Sequence, residues 1–431
     1  MLDFDFEKLC SVSLSNLNVY ACLVCGKYFQ GTGKSSHAYF HSLHEDHHVF
    51  INLHTLKVYI LPDGYEVTEA SLTDIKDVLK PSFTREQVAR LDKVNPYAYD
   101  LNNKRYLPGF VGLNNIKAND YLNVIVQALA HVEPIRNHFL LDDGDQGSEL
   151  VRRFGMLIRK VWNPRAFKGQ VSPHELLQEI SNASTKRFRL SQQSDPIDLL
   201  SWFLNALHVG MGGKRKPGSS LIHQTFQGEV RIDEQAILVR ETSDESGSDK
   251  KKKIFDTSRE ITTKRTPFMV LTLDVPPPPL FQDEADKNII PQVPLTTLLS
   301  KYDGVTGQES GNVLRRYKIT KLPRYLVFHI KRFTKNNWNL EKNPTIVNFP
   351  IKNVDMTEFV EGPDALHSTR YDLVANICHE GKPGPGNGIY KVHVHDRAKD
   401  QWFAIQDLFV EEIMAPMIFL SESYIQVGPD V

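Results

Sequence analysis

Two thiols and a run of imidazoles stand close together near the start of the chain. The stretch YACLVCGKYFQGTGKSSHAYFHSLHEDHHVF carries Cys22 and Cys25 as a C-x-x-C pair, followed by His37, His41, His44, His47 and His48. A C-x-x-C turn offers two adjacent thiolates, and zinc takes four sulfur or nitrogen ligands in a tetrahedron. Histidines 16 to 22 residues beyond the pair can complete such a site. The ligand set read here is Cys22, Cys25, His41 and His47, with His48 competing for the last place and zinc as the expected metal. Cys10 and His37 are left over as half of a candidate second site whose other ligands the sequence does not show. A second stretch, GFVGLNNIKANDYLNVIVQALAHV (109–132), also bears on chemistry. Leu122, Ile125, Val126, Leu129 and Val132 share one helical face, Asn119 suits the N-cap and Asp120 falls at the first helical position. A helix N-terminus favours negative charge and depresses the pKa of a thiol placed there. Here the residue is an aspartate, expected to titrate as an ordinary carboxylate and to stay charged. It reads as a binding site, an acid catalyst, or a catalytic seat without its nucleophile.

The elements that must position these residues follow from composition and periodicity. The chain has 431 residues, 41% hydrophobic and 24% charged, with a formal net charge of -1. That is a globular composition for two or three domains, and nothing global favours nucleic acid or membrane. No apolar run approaches the ~18 residues of a membrane span, and the acidic N-terminus does not read as a secretory signal. Three of the four cysteines lie in the first 25 residues, which points to a reducing compartment and a metal site, not a disulfide framework. Residues 1–70 read as a compact Cys/His unit, 71–106 as a partly helical connector, and 107–431 as one large α+β domain. In that domain helical patterns at 119–139, 148–162, 173–182 and 195–209 come first. Strand patterns follow at 224–232, 267–275, 322–333, 371–378, 389–396 and 401–406. The charged segment ETSDESGSDKKKK (241–253) is expected to be an exposed, disordered insertion.

Several motifs carry a family resemblance. C-L-V-C-G, H-A-Y-F-H and LPDGYEV (61–67) resemble the UBP-type zinc finger over about residues 8–70. Ubiquitin-binding members carry a Cys-Gly-Arg segment shortly before the H-A block, and its arginine grips the ubiquitin carboxylate. This chain reads Phe29-Gln30-Gly31-Thr32-Gly33 there, so the resemblance does not extend to tail recognition. Gly112 to Asn123 resembles the Cys box of ubiquitin-specific proteases, G-L-x-N-x-G-x-T-C-Y-x-N, with Asn115 in the place of the oxyanion-hole asparagine. DPIDLLSWFLNALH, PFMVLTLDVP, LPRYLVFHIKRF, IVNFP (346–350) and YDLVANICHEG with GIYKVHVHD and QWFAIQDLFV resemble further family motifs over about 107–428. The implied fold is α+β, a zinc finger followed by a papain-like protease domain.

The family hydrolyses isopeptide bonds with a Cys thiolate, a His base and an Asn or Asp that orients it. The matching positions here hold Asp120, Ile389 (where G-H-Y is usual) and Gln406. His393 lies four residues past Ile389, about 13 Å at ~3.3 Å per strand residue, and His395 lies further still. A general base must reach its proton within a hydrogen bond. Cys378 is not preceded by an oxyanion loop. Hydrolytic activity is therefore not expected. A UBP-type finger joined to a protease domain with Asp at the nucleophile position resembles the snRNP assembly defective group, noncatalytic protease homologues of the spliceosomal tri-snRNP. That resemblance implies a nuclear scaffold in pre-mRNA splicing whose partners are tri-snRNP proteins and snRNA. Two readings stand beside it: a ubiquitin-binding pseudoenzyme outside splicing, and a protease with an unusual active site.

Overall fold

The structure is a computed structural model that describes residues 8–142, 147–243, 249–255, 261–277, 290–335, 339–362, 368–384 and 386–431. The finger is a five-stranded antiparallel sheet of β1 (Val19–Cys22), β2 (Tyr28–Gln30), β3 (Val49–Asn52), β4 (Val58–Ile60) and β5 (Tyr65–Val67), in the order β2-β1-β3-β4-β5. Helix α1 (His37–Glu45) crosses it, capped by the Ser36 hydroxyl, which accepts from the Tyr39 N–H. Two small cores, one around Ile51 and Val58 and one around Phe50 and Leu61, lie on its two sides. Neither is large enough to suggest that apolar burial alone holds the unit together.

The polar stretch after the finger is more ordered than its pattern predicts. It forms α2 (Thr73–Leu79) and α3 (Arg85–Arg90). Leu79 of α2 belongs to the finger core, and Val88 of α3 to the core of the large domain. A capping box at Thr84 and Gln87 starts α3. Just beyond it, Asp92 receives both guanidinium nitrogens of Arg136, at 2.7 and 2.6 Å, and Arg136 is only 3% exposed. Burial would raise the Asp92 carboxyl, but the Arg136 guanidinium outweighs it and holds the pKa below the usual range. A folded pKa below the unfolded one stabilises the protein above the unfolded value, and the benefit is lost as pH falls through the folded value. Asp92→Ala leaves a buried guanidinium uncompensated and is expected to cost about 3 kcal/mol at neutral pH. A melting curve should show the deficit narrowing as the wild type is acidified below the ordinary carboxylate range.

In the large domain, α4 (Asp120–Ala130) is buried along its whole length. The periodicity predicts one helix over 119–139, but the chain breaks at His131–Val132 before α5 (Glu133–Leu141). Pro134 has no N–H to give to the Ala130 carbonyl, so the helix cannot continue. The Trp162 indole N–H takes that carbonyl instead, at 3.0 Å. Helices α6 (Glu149–Trp162), α7 (His174–Ala183) and α8 (Pro196–Gly210) fall where predicted, within a residue or two. Residues 224–226, predicted as strand, belong to α9 (Leu221–Phe226). The Ser220 hydroxyl caps its N-terminus, and Ile222 and Phe226 bury one face.

Two sheets complete the domain. The first joins β6 (Gly228–Ser243), β7 (Asp249–Phe255), β8 (Thr262–Phe268), β10 (Asp303–Ser310) and β11 (Val313–Lys321), with β6 pairing β7, β8 and β11. Its first two strands correct the reading of 241–253 as disordered. Residues 241–243 and 249–253 are backbone-paired, from Ile237 opposite Phe255 to Ser243 opposite Asp249, while 244–248 lie outside the described residues. A ladder anchored in the sheet can extend through a charged segment that has no apolar core of its own. The second sheet has seven strands, including β9 (Leu271–Asp274), β12 (Tyr325–Lys331), β13 (Ala375–Gly381), β14 (Gly388–Asp396), β15 (Gln401–Gln406), β16 (Phe409–Ile413) and β17 (Ser423–Pro429). The order is β9-β12-β17-β13-β14-β15-β16, parallel at β9–β12 and antiparallel elsewhere. Helix α4 packs across β14, and the start of that helix meets the start of that strand where the Tyr390 N–H donates to Asp120.

Candidate metal centre and the cleft around Asp120

Cys22 ends β1, Cys25 sits in the turn to β2, His41 lies mid-way along α1 and His47 follows that helix. One ligand atom from each comes within 4.8 Å of all the others. The Cys25 Sγ lies 3.4 Å from His41 Nε2, and that nitrogen lies 3.2 Å from His47 Nδ1. Tetrahedral zinc, with Zn–N near 2.0 Å and Zn–S near 2.3 Å, sets neighbouring donors roughly 3.3–3.8 Å apart. Two sulfurs and two imidazole nitrogens at this spacing fit zinc. They form the only such group of three or more metal-capable side chains among the described residues.

His48 does not compete. Asp46 takes a left-handed conformation at the end of α1 (φ 57°), and the His48 ring has partners of its own. Its Nδ1 lies 3.0 Å from Ser42 Oγ and 2.9 Å from the Leu61 carbonyl, and its Nε2 lies 2.8 Å from Asp46 Oδ1. The structure does not assemble a second site around Cys10 and His37. Cys10 is buried with its sulfur accepting the Ser13 N–H, and neither residue joins a metal-capable group among the described residues. Phe29, in the segment where ubiquitin-binding fingers carry their distinguishing residues, stacks on His41 with ring centres 4.2 Å apart.

The second site is built where the loop before α4 meets the turn between β15 and β16. Gly112 is needed there, because a Cβ on it would stand 2.7 Å from the Leu408 Cα. The Leu113 N–H donates to the Asp407 carbonyl at 2.9 Å. Asn119 occupies the N-cap position but does not cap with its side chain. Its Oδ1 accepts from Ile116 N, and its Nδ2 donates to the Asn114 carbonyl and to Asn123 Oδ1. The loop is thus tied both to itself and, through Asn123, to the first turn of the helix.

Asp120 stands at the first position of α4, as its spacing predicts, and is 5% exposed. Its Oδ2 accepts from Gln193 Nε2 at 2.7 Å and from the Tyr390 N–H at 3.1 Å. Its Oδ1 is buried with no hydrogen-bond partner among the described residues. The expectation of an ordinary carboxylate pKa is corrected here. Burial pushes the Asp120 pKa up, and Asp407 nearby adds to that, against the opposing N–H donors.

The other two positions that the sequence reading set against the family's triad are Ile389 and Gln406. Ile389 starts β14 with 39% of its surface exposed, and Gln406 closes β15 opposite Phe409. The Asn115 amide is oriented by Asp407, its Nδ2 donating to Oδ2 at 2.9 Å. Asn123 Nδ2 donates to the other oxygen of Asp407 at 2.8 Å. His379 is the imidazole beside this position, packed on the Tyr390 ring with centres 4.9 Å apart, and burial pushes its pKa down to about 4. His393 is buried beside Asn376, its pKa pushed by burial down to about 4, and His395 Nε2 is engaged with Asp400 at 2.9 Å. Burial pushes the Cys378 thiol up to about 12, which keeps it protonated and inert.

Gln193 has no counterpart in the sequence reading. It lies in the polar loop before α8, where nothing in SQQSDP marks one glutamine over another. Its amide nitrogen also donates to the Gly388 carbonyl at 3.1 Å, and its Oε1 accepts the Gly386 N–H at 2.7 Å. One side chain therefore bridges the helix wall to the β13–β14 loop over the carboxylate.

Comparison with known proteins places this arrangement. The family described as ubiquitin carboxyl-terminal hydrolase matches residues 111–427, and a Zn-finger in ubiquitin-hydrolases and other protein matches 10–72. Ubiquitin carboxyl-terminal hydrolase 39 of Homo sapiens is 51% identical, over 99% of this chain and 77% of that protein. The probable mRNA-splicing protein ubp10 of Schizosaccharomyces pombe is 50% identical, over 99% and 86%. The pre-mRNA-splicing factor SAD1 of Saccharomyces cerevisiae is 32% identical, over 99% and 90%. Among solved structures, an essential yeast splicing factor superposes with a TM-score of 0.78 at 29% identity, covering 100% of this chain and 97% of that one. The ubiquitin-aldehyde-bound SAGA module containing Ubp8 matches with a TM-score of 0.57 at 15% identity, over 99% and 90%, which shows the fold alone.

Proposed function

This chain belongs to the ubiquitin carboxyl-terminal hydrolase family, and on that premise we propose that it serves pre-mRNA splicing as a nuclear, noncatalytic scaffold of the tri-snRNP. The observation that carries the noncatalytic part is Asp120. The seat of the family's nucleophile holds a buried carboxylate whose Oδ2 is occupied by Gln193 and the Tyr390 N–H. A carboxylate is a weak nucleophile toward an amide, and no base stands at Ile389 to take a proton. Zinc bound by Cys22, Cys25, His41 and His47 supplies a structural link between β1, α1 and the segment entering β3, with no open position for chemistry.

Ubiquitin is not the ligand of the cleft in this reading. A ubiquitin tail entering toward Asp120 would have to break the three hydrogen bonds of Gln193 and bring its own terminal carboxylate, when free, against another acid. The partners are instead tri-snRNP proteins and their snRNA, met by outer faces of the domain and the finger. The test is purification of the tagged full chain from nuclear extract, wild type beside Asp120→Ala, with a ubiquitin titration of both. Equal recovery of snRNAs and splicing proteins by the two, with no saturable ubiquitin binding, is the expected result. Tight ubiquitin binding by the wild type, or snRNA recovery lost with Asp120→Ala alone, would make the cleft the working surface and overturn the proposal.

A further inference from the structure

The seven-stranded sheet ends on β16, and among the described residues β16 pairs with β15 alone. The Asp407–Leu408 turn joins Gln406 directly to Phe409, so Gln406–Phe409, Ala404–Glu411 and Trp402–Ile413 are the pairs that exchange hydrogen bonds across the hairpin. The alternation of an antiparallel ladder then turns the N–H and C=O groups of Val410 and Glu412 outward. Val410 packs inward against the main core and Ile413 against the second core, so the strand is fixed in place while its outer edge is open.

Two features separate this edge from one that is merely guarded. Charged residues on an edge strand commonly serve only to discourage chance pairing. Phe409, however, is 78% exposed on this strand, flanked by Leu408 at 49% and Met414 at 72%. The charges are also of one sign: Glu411 and Glu412 stand side by side, one on each face, with Glu412 held only by a 3.0 Å bond from Gln401. Self-pairing of two copies about Glu411 would set like charges directly opposite each other, which is destabilising. The edge therefore disfavours its own kind and suits a strand with basic side chains on both faces and an apolar one over Phe409.

We propose that the outer edge of β16 is a docking site for an extended basic segment of a partner protein, which adds to the sheet as an eighth strand. Main-chain bonds to Val410 and Glu412 supply the pairing, Glu411 and Glu412 select for lysine or arginine, and Phe409 offers apolar contact. The probe is a fluorescein-labelled ten-residue peptide of repeating valine-lysine-lysine, which puts lysines on both faces of a strand, titrated by anisotropy against the full chain. The corresponding valine-glutamate-glutamate peptide is its control. Val410→Pro removes an outward N–H that has no backbone partner among the described residues, at a position where a sheet tolerates proline. The basic peptide is expected to bind saturably and at least tenfold more weakly to Val410→Pro, whose melting temperature stays near that of the wild type. Because proline could disturb the hairpin, the exposed pair Glu411→Lys with Glu412→Lys provides a second arm, and it should invert the preference toward the acidic peptide. Equal binding of the basic peptide to wild type and both variants, or no binding to the wild type, overturns the proposal. So does a dimer by light scattering that Val410→Pro abolishes, since the edge would then belong to a second copy.

Discussion

Changing Cys22 to Ser abolishes zinc uptake and unfolds the finger while the large domain stays folded. Cys22 is fully buried at the end of β1, and its sulfur is one of the four donors gathered within 4.8 Å. Structural zinc contributes about 10–16 kcal/mol to the folding of small fingers, far more than the two small cores on either side of this sheet can replace. Without the metal, two thiols and two imidazoles would face one another with no compensation. The large domain has its own core around α4, so the loss should stop at α2, where Leu79 still packs into the finger. Elemental analysis should give one zinc per wild-type chain and none for the variant. Limited proteolysis should then cut the variant within 10–79 and leave the rest intact. A metal-free finger that resists proteolysis as the wild type does would refute the assignment.

Cleavage of a ubiquitin–amide substrate is expected to stay at background, on the order of 10⁶-fold below a protease with an intact nucleophile and base, which is what losing either one costs in a serine protease triad. Asp120→Cys alone should not restore turnover. The new thiol would gain the field of the α4 N-terminus, which favours a thiolate. It would still lack a base at Ile389 and a path past Gln193. Oxyanion stabilisation needs its donors aimed at the developing charge in advance, and the Asn115 amide is already oriented by Asp407. A fluorogenic ubiquitin amide read over hours makes the measurement. Wild-type turnover that Asp120→Asn removes would show the carboxylate to be catalytic after all.

What the sequence determined by itself is mostly local. The zinc ligands all lie within one hairpin, the helix after it and the turn that follows, so spacing brings Cys22, Cys25 and His41 together with a histidine of the His47–His48 pair. Asp120 at a helix start was legible for the same reason: periodicity says which residue occupies which position. The fold class followed from helices grouped before strands. Tertiary structure decided what each of those positions does. The choice of His47 over His48 depends on a left-handed Asp46 and on Ser42 and Leu61 waiting for the second ring. The raised pKa of Asp120 depends on burial, and burial is a property of everything packed around a residue. Its partners lie 73 residues away at Gln193 and 270 away at Tyr390, and Asn115 meets Asp407 across 292. No periodicity carries information over such separations, because side chains that distant meet only after the sheet and the helices have packed.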